Sequence, residues 1–479
     1  MNQYINFIVP PYHKRRGSST IFPLGIGYLV SCLSMHGIES RILDLTQKMD
    51  NIEEEITEAS IESEVSQFAA VNGEQLLFWG IGPVTTASSL FLEAIVASVR
   101  KYSDEPIICG GPLPSISNQR WLFFDLLKVD AIIMGDGEDA ITEAAISLSK
   151  GHSLKECPRV VTADSPNYYN LLEEIDSAPF PYRVRANVSI RRRIISGPTA
   201  SMITMRGCPY QCPFCVSGNL RGTGRKKYSK RSTDNIVKEL VRLQLDGYHS
   251  VIFYDDCLFW GRKANKQIEE FCCALRTAGI GLEWTMELRP DIFGLLTEKS
   301  FSELAESGCK EINVGFESAS FATQKRYHKS FDSGIVKEQC RIGMKKGIAI
   351  NGTFILGGPD ETIETIHNTV SMAIDMGLLF AHFTPLEVYP GTPLYNLVFK
   401  EDEKAWFYFL KKDFRKWNEI IYESKEISSE KLISLASEAY VQFYTAQDWT
   451  DRIRLFFSKE NADMIIKDSF EMIKNRYNL

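Results

Sequence analysis

No apolar run in this 479-residue chain approaches the roughly 18 residues a membrane span requires, so no transmembrane helix is expected. No basic segment followed by an apolar core opens it. Met1 to Pro10 reads as a short strand, which argues against a secretory signal. The 11 cysteines are accordingly read as reduced thiols of a soluble, cytoplasmic protein and not as disulfides. A long basic tract is also missing, and the formal net charge is -7. Nucleic acid is therefore not expected as the main partner. The run from Arg221 to Arg231 (RGTGRKKYSKR) is narrower than a nucleic-acid surface, and Arg191-Arg192-Arg193 reads as a solvated face.

What is present is an ordinary globular composition, 44% hydrophobic and 24% charged. The length exceeds one ordinary core, so two or three domains are expected. The most informative stretch is Met205-Arg206-Gly207-Cys208-Pro209-Tyr210-Gln211-Cys212-Pro213-Phe214-Cys215. Cys208, Cys212 and Cys215 form a C-x3-C-x2-C loop. A structural zinc site wants four closed ligands, usually from two C-x2-C pairs. No second pair follows, although Cys272 and Cys273 are adjacent. Iron–sulfur clusters are held by cysteine thiolates, normally four, and three would leave one iron open. The spacing favours such a three-cysteine cluster over half a zinc site or three unrelated buried thiols.

The chain before this loop alternates strand and helix. Strands are expected at Tyr4–Val9, Glu39–Leu45, Leu76–Ile81, Pro106–Cys109 and Ala131–Met134, and helices at Leu24–His36, Ile52–Phe68 and Ser88–Tyr102. Short connections predict a doubly wound, Rossmann-like parallel sheet in an α/β protein. Gly82, Gly110, Gly111, Gly135 and Gly137 fall at the carboxyl ends of strands, where such sheets bind ligands. Each glycine taken alone is also explained by a tight turn. Residues 157–199 carry five prolines and read as a linker. From Ala200, six β/α units follow, with polar or glycine-rich residues at every strand end, which predicts a partial (β/α)6 barrel with its chemistry on that face. Residues 399–479 read as a small helical region whose aromatics are core. The expected domains are 1–156, the linker, 200–398 and 399–479.

The cysteine loop and the six β/α units resemble the radical S-adenosylmethionine (SAM) enzymes. Gly25-x-Gly27-Tyr28-Leu29, Arg41 to Leu45, Cys109-Gly110-Gly111-Pro112 and Met134-Gly135-Asp136-Gly137-Glu138 resemble the cobalamin-binding domain fused ahead of that barrel in one large subfamily. The resemblance covers Tyr4 to roughly Tyr395. It implies a [4Fe–4S] cluster on Cys208, Cys212 and Cys215, with SAM chelating the open iron. It also implies Phe214 near the adenine, Asp255 and Asp256 at the methionine amino group, and Glu317 near the ribose or methionine end. Arg289 would meet the substrate or the carboxylate, and Ile355, Leu356 and Gly357 would line the adenine. Gly82, Val84, Thr85, Gly110, Gly111, Gly135, Gly137 and Glu138 would hold cobalamin, with Glu387 and Tyr389 facing substrate as catalytic candidates. Reductive cleavage of SAM to a 5′-deoxyadenosyl radical, then methyl transfer from methylcobalamin, would methylate an unactivated carbon of a natural product or lipid. An external electron donor such as flavodoxin or ferredoxin is implied.

Two departures shape these expectations. Cobalt-ligating domains use D-x-H-x-x-G after the first strand, whereas here the loop reads Pro10 to Gly17 with His13 but no aspartate. Base-off cobalamin without a histidine ligand is therefore expected. Gly82-Pro83-Val84 also departs from the usual S-x-L. The rival readings are a cobalamin radical enzyme that forms or contracts rings or oxidises carbon, a non-catalytic iron–sulfur carrier, and a nucleic-acid modifier. The single cysteine motif inside a full β/α array argues against the carrier.

Overall fold

The structure is a computed structural model and describes residues 3–11, 22–48, 56–69, 75–184, 194–195, 197–220, 228–400, 402–408, 422–424 and 426–477. His13, Arg191 to Arg193, residues 221–227 and Trp417 lie outside the described residues. Two compact units emerge. One comprises Met1–Ala186, Asn219–Ser229 and Tyr389–Ile420; the other comprises Asn187–Gly218, Lys230–Val388 and Ile421–Leu479.

The first unit is built on a six-stranded parallel sheet. Its strands are Gln3–Val9 (β1), Glu39–Asp44 (β2), Gln75–Ile81 (β3), Ile107–Gly110 (β4), Ala131–Gly135 (β5) and Tyr169–Asn170 (β6), in the spatial order β2-β1-β3-β4-β5-β6. Parallel strands covered on both faces read as continuous apolar runs, and all but the first residue of β1 are buried. The helices Leu24–Ser34 and Glu138–Ser149 join Ile5, Phe7, Phe78 and Ile133 in one core cluster. The stretch expected as a linker is partly a structural element. Tyr169–Asn170 pairs with β5 as the sixth strand, and Cys157 and Val160 belong to the core. Proline content hid a strand of only two residues.

The helical tail is likewise divided. Residues 389–420 group with this first unit. Trp406 is fully buried there, its indole N–H donating to Gln119 Oε1 at 2.8 Å, and Phe407 packs edge-on to Trp121. Gln119 and Trp406 are 287 residues apart, beyond the reach of any local pattern.

The second unit holds a six-stranded parallel sheet of Thr199–Met202 (β7), Ser250–Phe253 (β10), Glu283–Leu288 (β11), Cys309–Glu317 (β12), Ala349–Leu356 (β13) and Ala381–Pro385 (β14), neighbours in chain order. The short strands Met205–Arg206 (β8) and Ser229–Lys230 (β9) pair separately. Helices return the chain between β10 and β14, as the expected β/α units require. Three of them start on capping side chains, Thr297, Asp332 and Thr362 each accepting the N–H three residues on, and Ser232 does the same for the helix ahead of β10. Phe316, Phe354 and Phe383 stack across β12, β13 and β14, with ring centroids 5.8 and 5.1 Å apart. The helix Ser429–Tyr444 covers the edge strand β14, Phe383 meeting Tyr440 and the Tyr444 hydroxyl donating to Ala381 O. An edge strand needs such a cover to keep its ladder from pairing elsewhere.

Arg231, the last residue of the basic run, is not surface. Its guanidinium is buried against the fully buried Glu239 at 2.5 Å and donates to Ile203 O at 2.9 Å. Glu239→Ala strands that cation in the core, and breaking one side of a buried pair costs about 3–5 kcal/mol. A matching drop in the denaturant midpoint of the second unit is expected; an unchanged midpoint contradicts it.

Candidate functional site

The cysteine loop leaves β8 at the carboxyl edge of the second sheet. Gly207 precedes it at φ +77°, a left-handed backbone that favours glycine. The lead-in is fastened by the carboxylates that follow β10. Asp255 Oδ1 accepts the N–H of Thr204 at 2.6 Å and of Met205 at 2.7 Å, and Oδ2 accepts the Thr204 hydroxyl at 3.0 Å. Asp255 is 5% exposed, and burial pushes its carboxyl up to about 7. Asp256 is exposed, and its Oδ2 accepts the Gly207 N–H at 3.0 Å. The pair expected at an amino group is thus divided in role. Asp255 is committed to the loop backbone, because a buried carboxylate needs donors and the nearest ones belong to the chain itself.

Within the loop, the Cys215 N–H donates to Cys212 O at 3.1 Å, making a tight turn. The helix Ser217–Leu220 sits so close that a Cβ on Gly218 would lie 2.1 Å from Tyr210 O. Cys212 is buried, while Cys208 and Cys215 are half-buried. The Cys208 thiol hydrogen-bonds with the buried Cys257, which holds Cys208 down to about 7 and pushes Cys257 well up. No group of three His, Cys, Asp or Glu among the described residues is placed to hold a single ion. A cubane asks something different, because each thiolate binds a different iron. Three thiols on one tight loop, one of them shifted toward the thiolate, are a donor set that fits it.

Around the loop the structure assembles residues from several strand ends. Arg289, after β11, reaches Cys212 Sγ at 3.1 Å, Asp291 Oδ1 at 2.9 Å and His328 O at 2.6 Å, and lies over the Tyr210 ring at 3.8 Å. Glu317, at the end of β12, is 5% exposed with φ +64°. A non-glycine residue in that region costs about 1–3 kcal/mol and persists only where its surroundings hold it. Lys329 does so here, its ammonium 2.5 Å from Glu317 Oε1. Phe214 packs edge-on to Tyr327 at 4.8 Å, with Lys329 5.6 Å from its ring centroid. Ile355 and Leu356 end β13, and Gly357 follows at φ +84°. Buried Glu361 accepts the N–H groups of Gly357 at 2.8 Å and Gly358 at 3.0 Å, and the Ser318 hydroxyl at 2.5 Å, tying the β12 and β13 ends together.

Tyr210, Cys257, His328, Lys329 and Glu361 were not read from the sequence. Only Glu361 carried a signal, two residues beyond Gly357-Gly358-Pro359. Of the catalytic candidates, half-buried Glu387 lies in the Lys230–Val388 segment of the second unit, while half-buried Tyr389 begins the segment grouped with the first.

At the first sheet's carboxyl edge, the glycines have a packing reason. A Cβ on Gly82 would meet Gly110 O at 2.8 Å, on Gly111 Val84 N at 2.4 Å, and on Gly135 Asn170 O at 2.2 Å. The loops interlock through the backbone, Val84 N–H to Gly110 O at 2.8 Å and Leu113 N–H to Val84 O at 3.0 Å. Gly110 has open space beside it. Thr85 is occupied in a cap with Ser88, Gly137 lies against Leu29, and Glu138 begins a helix as a buried residue. Glycine at these positions is what lets the strand-end loops approach one another through their backbones.

Residues 202–373 match the Radical SAM superfamily, and residues 17–145 match the B12 binding domain. An uncharacterized methyltransferase of Pyrococcus horikoshii is 26% identical over 458 residues, covering 92% of each chain. Among solved structures, the radical SAM methyltransferase TsrM from Kitasatospora setae, bound to cobalamin and a [4Fe–4S] cluster, aligns with a TM-score of 0.65 at 18% identity. It covers 84% of this chain and 75% of that one. The cobalamin-dependent SAM radical enzyme OxsB aligns at 0.65 and 14% identity, over 99% and 71%. At such identities these structures establish the fold, a Rossmann-like parallel sheet followed by a second parallel β/α sheet and a helical C-terminal region. The radical SAM domain brings a [4Fe–4S] cluster and SAM, and the B12 domain brings cobalamin. With both domains on one chain, the protein belongs to the cobalamin-dependent radical S-adenosylmethionine enzymes.

Proposed function

We propose that this enzyme methylates an unactivated carbon of a small molecule, with Cys208, Cys212 and Cys215 as the cluster ligands. One observation carries the reading: a three-cysteine loop fastened to the carboxyl edge of the β/α sheet, in a chain whose first unit matches a B12 binding domain. Full-length similarity to a methyltransferase supports the outcome. When bound, cluster and SAM supply the radical and cobalamin the methyl group. The chain's own residues hold these groups. Asp255 and Asp256 fix the loop, Glu361 fixes the Gly357-Gly358 backbone that would meet the adenine, and Phe214, packed edge-on to Tyr327, would lie near it. Asp256, exposed at that edge, is placed better than Asp255 for the amino group of SAM. Glu317 would serve the ribose or methionine end, and Glu387 and Tyr389 would face substrate. Gly82, Val84, Thr85, Gly110, Gly111, Gly135, Gly137 and Glu138 form the edge proposed for cobalamin. An external electron donor of flavodoxin or ferredoxin type completes the set.

Anaerobic reconstitution with iron, sulfide and hydroxocobalamin, followed by assay with methyl-labelled SAM, tests the reading. Methylation yields 5′-deoxyadenosine and S-adenosylhomocysteine together, since a second SAM recharges the methyl carrier. 5′-Deoxyadenosine without S-adenosylhomocysteine points instead to a non-methylating radical outcome. Base-off binding is also part of the proposal, because the strand-end segments 82–85, 110–111 and 135–138 contain no histidine. The cob(II)alamin EPR spectrum is expected without nitrogen superhyperfine splitting; its presence overturns the base-off assignment.

A further inference from the structure

Arg289 uses every nitrogen of its guanidinium. Nε meets Asp291, Nη2 meets the carbonyl of His328, and Nη1 donates to Cys212 Sγ at 3.1 Å. The plane lies on the Tyr210 ring, and the residue is 8% exposed. Held at four points, the side chain has no freedom to swing toward a bound molecule. Asp291 keeps a third of its side chain exposed, so water screens its charge, whereas the guanidinium is shut in with the sulfur. The direction expected from the family likeness, toward substrate or the carboxylate of SAM, is taken by a ligand sulfur.

We propose that Arg289 is a positioning residue that sets the reduction potential of the cluster through its hydrogen bond to the Cys212 sulfur. The inference rests on Cys208, Cys212 and Cys215 being the cluster ligands. One electron from a low-potential reductant takes [4Fe–4S]2+ to [4Fe–4S]+, with no bond broken, and raises electron density on the coordinating sulfurs. Hydrogen bonds to those sulfurs and nearby net charge are the levers that move such potentials. An N–H donor on a buried cation stabilises the reduced form more than the oxidised one, so Arg289 raises the potential. Lys329 adds its charge near the same sulfur, but its ammonium donates to Glu317 and to Gly315 O, so it acts on Cys212 through space, whereas Arg289 acts through a hydrogen bond.

The full chain is reconstituted with iron and sulfide and titrated potentiometrically by EPR, without SAM, as wild type, Arg289→Lys and Arg289→Met. The midpoint is expected to fall in the order wild type, Lys, Met. For Met the loss is at least tenfold in the reduced-to-oxidised ratio at a given potential, about 59 mV for one electron. Iron and sulfide content is expected to stay at wild-type level. Should the Met variant fail to assemble, the wild type still decides. Reduced protein carrying 15N-arginine is expected to show a weak 15N coupling in pulsed EPR that is absent from Arg289→Lys. Wild-type protein that assembles no cluster defeats the ligand assignment and this proposal together. A wild-type cluster with variants titrating at the same potential, or with no 15N coupling, defeats the role of Arg289 alone.

Discussion

Alanine at Cys208, Cys212 or Cys215 is expected to leave the reconstituted chain without its cluster, and 5′-deoxyadenosine formation at the level of a protein-free control. Each thiolate holds a different iron, so two cannot substitute for three. No neighbouring thiol replaces the lost one: Cys257, beside Cys208, is buried, and its contact with Cys208 pushes its proton affinity well up. A thiol that keeps its proton is a poor ligand. Cys257→Ala is accordingly expected to retain the cluster. Iron and sulfide content, read beside the visible charge-transfer absorbance, checks both. A Cys212→Ala protein with full iron content, or a Cys257→Ala protein without any, contradicts the assignment.

The second large effect is expected at Asp255. Its carboxylate takes two backbone N–H groups and a hydroxyl in a buried place. Asp255→Ala strands the N–H groups of Thr204 and Met205, at about 1–3 kcal/mol for each. It also releases the lead-in to Cys208, so cluster content falls with stability. Asp256→Ala, at an exposed carboxylate, is expected to spare stability. The pH dependence has a definite sign. Burial lifts Asp255 to about 7 in the folded chain, above the unfolded carboxylate near 3.8. Between those values the folded form holds a proton that the unfolded form has released. This contribution to stability is full below the unfolded value and lost as pH rises through about 7. Comparing urea midpoints at about pH 5 and pH 8, the wild type is expected to lose more than Asp255→Asn, which cannot titrate. Were Asp255 instead the partner of the SAM amino group, the Asn variant would raise the KM for SAM and leave the midpoints alone.

Most of the architecture was legible before any coordinates, because its signals are local. Strand and helix segments alternating over short connections are short-range chemistry, and they predicted β1 to β5 of the first sheet and the β/α strands of the second, but not the two-residue β6. The cysteine spacing is equally local and named the metal chemistry. The aromatic tail was read as core, and Trp406, Phe407, Tyr440, Phe443 and Tyr444 are buried, whereas Tyr408 is exposed.

The sequence by itself determined the two parallel sheets, the three-thiol loop and the glycine-rich edges, each carried by residues a few positions apart. Tertiary structure decided what those features touch. It set Arg289 on Cys212 across 77 residues, Lys329 on Glu317, and Asp255 under the backbone it fastens. It also placed Trp406 on Gln119, made Tyr169–Asn170 a strand, and buried Arg231, the last residue of the basic run. The physical reason is common to all of these. Propensity and spacing act along the chain, whereas a buried charge or polar group is satisfied by whichever partner the packed fold brings within about 3 Å, however distant in sequence.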